Sequence, residues 1–295
     1  MATLSSAMPG PASAGPLSPA PAGRGYDANF LEVAVPAPQL TAEGRRHAVG
    51  AATGQEVVPH THFSLVMHAQ RRLALWVGWN IDGSRLHRLG RRGLAFGPDP
   101  LVAPQYQTSE ALYANNRLDR GHLARRADLC WGSPDEARQA NRDSFYFTNI
   151  TPQLENFNQS QQGGIWGQLE DALFDQVEVQ ALRVSVFGGP VLHTQDQLYR
   201  GVQLPREFFK VLAYVEAGQL RAQAFLLTQN LESLQYVDLE QFRVYQVTLA
   251  ELEARCAFRF AQVLQAADRY AEHLADQHLL AAERPWLATL ADVWW

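Results

Sequence analysis

The chain contains almost no lysine. Of its 25 basic residues, Lys210 alone is lysine and the others are arginine. A Walker-type phosphate loop ends in Gly-Lys-Ser or Gly-Lys-Thr, whereas Lys210 follows Phe209 and precedes Val211. The sequence therefore excludes the nucleotide-binding proteins that depend on that loop.

Cysteine and long apolar runs are also scarce. The two cysteines, Cys130 and Cys256, are too few and too far apart for a disulfide framework or a cysteine zinc site. We expect each to be a small buried apolar residue. No uncharged apolar run approaches the ~18 residues of a membrane-spanning helix, so we expect no membrane partner.

The first residues lack the features of a secretory signal. Residues 1–24 are rich in Ala, Pro, Ser and Gly, and have neither a basic start nor an apolar stretch. This composition predicts a disordered tail. It leaves the localisation open between the cytoplasm and export by a non-classical route.

Positive charge is unevenly distributed along the chain. The formal net charge is −5, which does not suit a protein that coats nucleic acid through bulk positive charge. Between Arg71 and Arg126, however, ten arginines face four acids, whereas residues 127–295 hold twelve bases and twenty-two acids. A basic segment of this kind can hold a polyanion, although a set of solvated arginines explains the charge equally well.

The pattern of apolar runs predicts an α+β fold. Hairpins are predicted at 62–79 and 208–227, and residues 83–104 are predicted to be loop. Further predicted strands are an aromatic one at 143–149 and a buried one at 182–187 that ends at Gly188-Gly189-Pro190. Helical spacing covers 165–182 and 260–280, and Thr248 with Glu251 forms a capping box.

These elements indicate a central antiparallel β-sheet flanked by helices. No internal repeat is present, and no linker interrupts residues 55–265. We therefore predict a single domain over residues 25–268 and a helical extension over residues 269–295.

The most informative stretch runs from Arg117 to Glu170. It contains Asp119-Arg120-Gly121-His122, then Phe145-Tyr146-Phe147-Thr148-Asn149-Ile150-Thr151-Pro152-Gln153, then Phe157-Asn158-Gln159, and finally Trp166-Gly167-Gln168-Leu169-Glu170. Each piece alone has an ordinary explanation: Gly121 suits a turn, Asn158 suits a helix cap, and Glu170 suits a solvated helix face. The ordered set over about fifty residues is far more specific.

Together these motifs resemble the sugar-nonspecific DNA/RNA endonucleases with a ββα-metal active site, a family that includes secreted bacterial nucleases and mitochondrial endonuclease G. The resemblance implies a metal-dependent endonuclease that hydrolyses DNA and RNA with little sequence preference. Phosphodiester hydrolysis needs an activated water and a cation against the developing negative charge. A neutral histidine is the natural base near pH 7.

The resemblance assigns a role to each candidate residue. His122 takes the proton of the attacking water, Arg120 faces the phosphate, and Asp119 supports its neighbours. Asn158 holds Mg²⁺ through its side-chain oxygen, with Mn²⁺ as a substitute, and Glu170 holds metal-bound waters. Asn149 and Arg92 correspond to positions at the substrate, with Arg91 as the alternative to Arg92.

The spacing after Asn158 leaves the metal ligand open. Seven residues separate Asn158 from Trp166, whereas in the best-known members the Asn lies four residues before that Trp, where this chain has Gln162. Gln162 is therefore the rival ligand, although the local Phe-Asn-Gln motif favours Asn158. The stretch between His122 and Asn149 is also longer, and Ser133–Glu136 is predicted to be an inserted turn.

Several alternatives stay open. His60 and His62 are spaced for a metal on a strand face, but no third ligand is evident and a structural role is expected. The chain could be a nucleic-acid-binding protein that has lost catalysis, against which the intact His122, Arg120 and Glu170 argue. A toxin-type nuclease with an inhibitor protein as partner is the other alternative, and a homodimer is among the oligomeric options.

Overall fold

The computed structural model describes residues 25–50, 54, 56–154, 171, 182–229, 231, 243–277, 287 and 292–294. Within these ranges the architecture is α+β, as predicted from the sequence. The strands are β1 to β14, in chain order Gln39–Leu40, Ala48–Val49, Val58–Pro59, Phe63–His68, Leu73–Asp82, Leu118–His122, Ile150–Leu154, Arg183–Val191, Gln197–Tyr199, Val202–Leu204, Glu207–Glu216, Gln219–Thr228, Arg243–Val247 and Phe258–Arg259. The helices are α1 to α7, in chain order Ala42–His47, Glu110–Tyr113, Arg126–Leu129, Pro134–Asp143, Leu249–Arg255, Gln262–Gln265 and Arg269–Gln277.

An antiparallel sheet, made mostly of long strands, forms the centre of the molecule. Its strand order is β13-β12-β11-β8-β5-β4-β2, and the short β3 also pairs with β4. The two predicted hairpins are confirmed: β4 pairs with β5, and β11 pairs with β12 from Glu207↔Thr228 to Glu216↔Gln219. Ala217 and Gly218 close the second hairpin with positive φ angles of 47° and 75°.

Each face of the sheet is covered by its own hydrophobic core. The first core includes Trp79 and Phe225 from the sheet, and packs them against Leu118, Phe147 and Ile150. The second includes Trp76 and Phe209, packed against the N-terminal segment that precedes β1 and against helices α5 and α6. A β-bulge between Val66 and Met67 lets Leu75 and Trp76 both join this second core. The segment with the candidate site residues therefore covers one face of the sheet.

Strand β8 does not end at Gly188-Gly189-Pro190, as predicted, but runs through it to Val191. A Cβ on Gly188 would lie 3.2 Å from the Trp79 ring, so glycine allows the large ring to pack on the sheet. Strand β5 pairs with β8 only as far as Gly188. Beyond that point, among the described residues, β8 pairs with β11 alone. Pro190 has no backbone N–H to donate to a second neighbouring strand, and it is tolerated because no second described strand is paired there.

The predicted aromatic strand at 143–149 is wrong. Helix α4 ends at Asp143, and a short 3-10 turn covers Phe147–Asn149 before β7 begins at Ile150. Phe145, just before this turn, packs edge-on against the His122 ring. The turn predicted at Ser133–Glu136 is also wrong, because Ser133 and Glu136 form a capping box that opens α4, whereas the insertion itself stays a prediction.

The second predicted capping box is confirmed, since the Thr248 side chain and Glu251 satisfy each other's backbone donors at the start of α5. The predicted helix at 260–280 is two helices, α6 and α7, separated at 266–268. Asp268 lies in that break and accepts the backbone N–H of Leu249. The predicted helix at 165–182 lies almost wholly outside the described residues.

The predicted C-terminal extension contacts the sheet in its described part. Leu287 forms an antiparallel bridge with Val244, and Trp294 donates its backbone N–H to the Gln246 side chain at 2.9 Å. The domain boundary at 268 stays a prediction. Across the described ranges, no helix is both long enough and apolar enough to cross a membrane.

Candidate active site

The candidate site is built on a separate two-stranded hairpin. Strands β6 and β7 pair antiparallel from Leu118↔Leu154 to His122↔Ile150. The Asp-Arg-Gly-His run forms most of β6, although its sequence gave no strand prediction. The β-branched pair Ile150-Thr151 on β7 was the available signal.

The alternation of the strand separates the four motif residues into two faces. Side chains of directly paired residues lie on the same face of a hairpin. Arg120 and His122 therefore share the face of Pro152 and Ile150, while Asp119 shares the opposite face with Gln153. Asp119 is engaged in an interaction of its own, and its predicted supporting role stays a prediction.

Gly121 is required by the side chain that crosses it. A Cβ at Gly121 would lie 2.0 Å from Gln153 Oε1 and 2.7 Å from Gln153 Cγ. Gln153 is buried, so its side chain has little room to withdraw. The glycine of the motif thus allows the Gln153 side chain to lie flat on β6 (a close approach that does not depend on φ).

His122 lies in an apolar, positively charged environment. Its ring meets the Phe145 ring edge-on at 5.3 Å between centroids and the Phe96 ring at 5.6 Å. Desolvation, followed by the charges of Arg126 and Arg91, lowers the pKa of His122 to about 3. The imidazole is therefore neutral over the physiological pH range.

The His122 Nε2 atom is available as a proton acceptor. It is buried and has no hydrogen-bond partner among the described residues. Such an atom is costly to leave unmatched, since buried polar groups in folded proteins are nearly always paired. An unpaired imidazole nitrogen close to the charges of Arg126 and Arg91 suits a site that receives a water and an anion.

Arg120 is held on several sides. Its Nε donates to Glu110 Oε2 at 3.0 Å, and its Nη2 bonds to Glu110 Oε1. Its guanidinium carbon lies 5.1 Å from the Tyr113 ring centroid and 5.6 Å from that of Phe96. Phe96 therefore contacts both Arg120 and His122, and fixes their common environment.

Asn149 is wholly buried just before β7 and its side chain bonds to backbone. Its Oδ1 accepts the Ala124 N–H, and its Nδ2 donates to the carbonyls of Ala124 and Ser144. Its own carbonyl accepts the Leu123 N–H at 2.9 Å. Asn149 thus holds the chain that follows His122, and its predicted contact with substrate stays a prediction.

A buried polar network supports the loop in front of the site. Asp99 accepts hydrogen bonds from His60 Nε2 at 2.9 Å and from Thr148 Oγ1 at 2.6 Å. Burial alone would raise the pKa of Asp99, but the hydrogen bond and charge of His60, with the bonds from Thr148 and Leu101, lower it below its ordinary value. The loop that carries Phe96 and Arg91 is thereby tied to the turn before β7.

The other candidate histidine has a structural environment as well. His62 Nδ1 bonds to the Leu129 carbonyl at 2.8 Å, and its ring stacks on Trp131 at 3.6 Å. In the part of the chain that the structure describes, no group of three His, Cys, Asp or Glu residues could hold a metal ion. The expectation of a structural role for His60 and His62 agrees with these contacts.

The two upstream arginines are both exposed. The charge of Arg91 acts on the pKa of His122, so Arg91 lies on the side of the site. The predicted contact of Arg92, the residue favoured by the sequence, with substrate stays a prediction. Arg126 was not predicted at all; it follows His122 by four residues and donates to the Leu89 carbonyl at 2.5 Å.

Asn158, Gln162 and Glu170 lie outside the described residues. The described residues that flank them are nevertheless attached to the motif segment. Leu154 pairs with Leu118 in the hairpin, and Asp171, which follows Glu170 directly, forms an ion pair with Arg125. The described residues on either side of the predicted metal ligands thus both adjoin the motif: one at the start of β6, the other just after His122.

With this site and fold, the chain can be compared with known proteins. A sequence profile described as DNA/RNA non-specific endonuclease matches residues 42–267. The chain belongs to the DNA/RNA non-specific endonuclease family.

Relatives by sequence include bacterial and animal proteins. The chain is similar to uncharacterized protein y4fB of Sinorhizobium fredii (32% identity over 268 residues, 83% of this chain and 40% of that one). It is also similar to a nuclease of Nostoc (25% over 204 residues, 67% and 70%) and to human mitochondrial endonuclease G (28% over 197 residues, 62% and 62%). The chain thus spans well under half of the rhizobial protein.

A solved structure supports the fold. A chain in the crystal structure of the EndoG/EndoGI complex superposes with a TM-score of 0.56 at 18% identity, over 71% of this chain and 86% of that one. At this identity the likeness shows the shared α+β architecture and the family membership rests on sequence.

Proposed function

We propose that this chain is an active metal-dependent endonuclease that hydrolyses phosphodiester bonds of DNA and RNA with little sequence preference. The observation that carries the proposal is the neutral, unpartnered Nε2 of His122, which feels the charges of Arg126 and Arg91, with Arg120 on the same face of β6. A base must be unprotonated before the reaction, and a phosphate must find positive charge. This face of the hairpin provides both.

The roles of the described side chains follow from their environment. His122 Nε2 takes a proton from the attacking water as the water oxygen bonds to phosphorus and the bond from phosphorus to the leaving ester oxygen breaks; the leaving oxygen then takes a proton from solvent water. The phosphate charge opposes the charges of Arg91 and Arg126, so bound substrate raises the pKa of His122 and makes it a stronger base. Arg120 faces the non-bridging oxygens, where its donors match the phosphate geometry.

The proposed divalent cation would be held by residues of the segment that follows β7. Asn158 is the proposed ligand and Glu170 the proposed partner of the cation's waters, with Gln162 as the rival ligand. The buried, unpartnered Nε2 of His122 supports such a site, because it would have a hydrogen-bond partner in the attacking water. Mg²⁺, or Mn²⁺ in its place, supplies a positive charge against the developing charge on phosphate.

Digestion of plasmid DNA and of an unstructured RNA tests the activity. We expect the full chain to cut both with Mg²⁺ or Mn²⁺, to stop with EDTA, and to lose at least about 1,000-fold in rate as His122→Ala. Wild-type protein that binds DNA and RNA but leaves both intact would instead make the chain a non-catalytic binding protein. His87→Ala is a suitable control, because His87 bonds to the Gly132 carbonyl away from the hairpin.

The ligand choice needs a separate experiment. Asn158→Ala and Gln162→Ala are compared for the Mg²⁺ concentration that gives half-maximal activity. We expect Asn158→Ala to raise this concentration strongly and Gln162→Ala to leave it near the wild-type value. The reverse result would assign the metal to Gln162.

The EndoG/EndoGI complex also makes a protein inhibitor a candidate partner for this chain.

A further inference from the structure

We infer that Glu110 is a positioning residue for the proposed nuclease reaction, which orients Arg120 toward the scissile phosphate. Glu110 is the first residue of α2 and lies ten positions before Arg120 in sequence. It lies outside the motifs named from the sequence, which begin at Asp119. The inference rests on the proposed function and adds a residue to it.

The geometry of the pair leaves one edge of the guanidinium for substrate. Glu110 binds the side edge of Arg120, formed by Nε and Nη2. The rings of Tyr113 and Phe96 lie within cation–π distance of the same group. A guanidinium has a second edge, Nη1 with Nη2, that can grip a phosphate in a bidentate manner. Glu110 fixes the side edge of the Arg120 guanidinium, and the two rings limit its movement. The end edge is therefore held in one orientation before substrate binds.

A second hairpin supports helix α2, the element that carries Glu110. Arg200, at the turn between β9 and β10, donates from Nη1 to the Ala111 carbonyl at 2.9 Å and to the Ala114 carbonyl at 2.6 Å. These carbonyls lie in and just after α2, a helix of only four residues. Such a short helix is not stable alone. Arg200 thus braces the element that carries Glu110.

Two other roles for Glu110 make different predictions. As a competitor, its carboxylate would occupy Arg120 and exclude phosphate, so its removal would raise activity. As a first-turn acid, it would only stabilise the N-terminus of α2. The Glu110 side chain is 62% exposed and that of Arg120 is 26% exposed, so an exposed ion pair alone adds little stability.

Steady-state kinetics of Glu110→Gln and Glu110→Asp distinguish these roles. We expect Glu110→Gln to lower kcat about tenfold, equivalent to about 1.4 kcal/mol, without raising KM, because a negative charge near the polyanion is removed. Glu110→Asp keeps a first-turn acid but shortens the reach, so we expect kcat to stay reduced. The matched control is Glu216→Gln, whose carboxylate is 66% exposed and pairs with Arg221 on a distant hairpin; its kcat should be unchanged.

A double-mutant cycle tests whether the effect passes through Arg120. In an Arg120→Lys background, Glu110→Gln should cause no further loss of kcat. A persisting loss, full activity of Glu110→Asp, or a rise in kcat of Glu110→Gln would each overturn the inference.

An activity-independent measurement separates this inference from the proposed function. In NMR spectra of the full chain without nucleic acid, the Arg120 Nε–H should exchange slowly with solvent in the wild type. It should exchange rapidly in Glu110→Gln, while Glu216→Gln resembles wild type. Slow exchange retained in Glu110→Gln would contradict the positioning role, whereas an inactive wild type would contradict only the proposed function.

Discussion

Asn149 binds the backbone of Ala124 at both ends of one residue: its Oδ1 accepts the Ala124 N–H at 2.9 Å, and its Nδ2 donates to the Ala124 carbonyl at 3.0 Å. Because Ala124 follows His122 by two residues, these two hydrogen bonds determine the path of the backbone after the candidate base. It also joins that chain to the turn before β7.

We expect Asn149→Ala to destabilise the protein by about 3 kcal/mol, because it leaves buried backbone groups without partners. Activity should fall in parallel as His122 loses its alignment. Chemical denaturation and the rate of DNA cleavage measure the two effects. A variant with wild-type stability and a raised KM would mean that Asn149 contacts the substrate directly.

Gly121→Ala should be damaging because its methyl group would overlap Gln153. Overpacking of a buried site costs about 1–3 kcal/mol, and the shift of β6 should also lower the cleavage rate. The second substitution Gln153→Ala removes the obstacle. We therefore expect the double variant to regain part of the stability, as measured by thermal unfolding. No recovery would show that Gly121 is needed for another reason.

His122 should remain neutral in the free protein from pH 5 upward. Its depressed pKa, about 3, arises first from desolvation and then from Arg126 and Arg91. NMR titration of the imidazole carbon and nitrogen shifts measures this directly. A midpoint near the ordinary value of ~6.5 would contradict the environment described above. Addition of a non-cleavable oligonucleotide should raise the midpoint.

The same pKa predicts how stability depends on pH. As the pH falls from about 6.5 to about 3, the unfolded chain gains a proton at His122 and the folded protein does not. The folded state therefore loses stability in this window, by up to about 1.4 kcal/mol per pH unit. Stability curves of His122→Asn, compared with wild type, should lack this contribution. Identical pH slopes in the two proteins would contradict it.

Arg91 and Arg92 should differ although they are neighbours. Because the charge of Arg91 reaches His122, Arg91→Ala should raise the His122 pKa and weaken substrate binding. We expect a several-fold larger rise in KM for Arg91→Ala than for Arg92→Ala, at the same ionic strength. Equal effects would indicate general attraction of the polyanion, and a larger effect of Arg92→Ala would support the assignment made from sequence.

The hairpins of the main sheet were predictable because their signals are local. At 63–82 and 207–228, β-rich apolar runs flank short polar turns, and each strand pairs with its neighbour in sequence. The aromatic run at 143–149 shows the limit of such reasoning. Its residues favour strands, but a strand also needs a partner, and here the rings pack against His122 and Phe96 from a turn.

The ion pair of Glu110 with Arg120 could not be predicted in the same way. The two residues lie on different elements, and neither element was predicted from the sequence. Arg126 was overlooked for a related reason, since one more arginine in a basic segment carries no local signal. Spatial proximity to His122 distinguishes it from the other arginines.

The sequence by itself determined the chemical groups: an imidazole, several guanidinium groups and the ordered motifs that place the chain in its family. It also determined which short runs form hairpins, because alternation and turn residues act locally. Only the tertiary structure decided the state of these groups. Burial between Phe96 and Phe145 beside two positive charges keeps His122 neutral, and pairing with Glu110 orients Arg120. Desolvation and electrostatic contact depend on residues distant in sequence, so the folded chain alone establishes them.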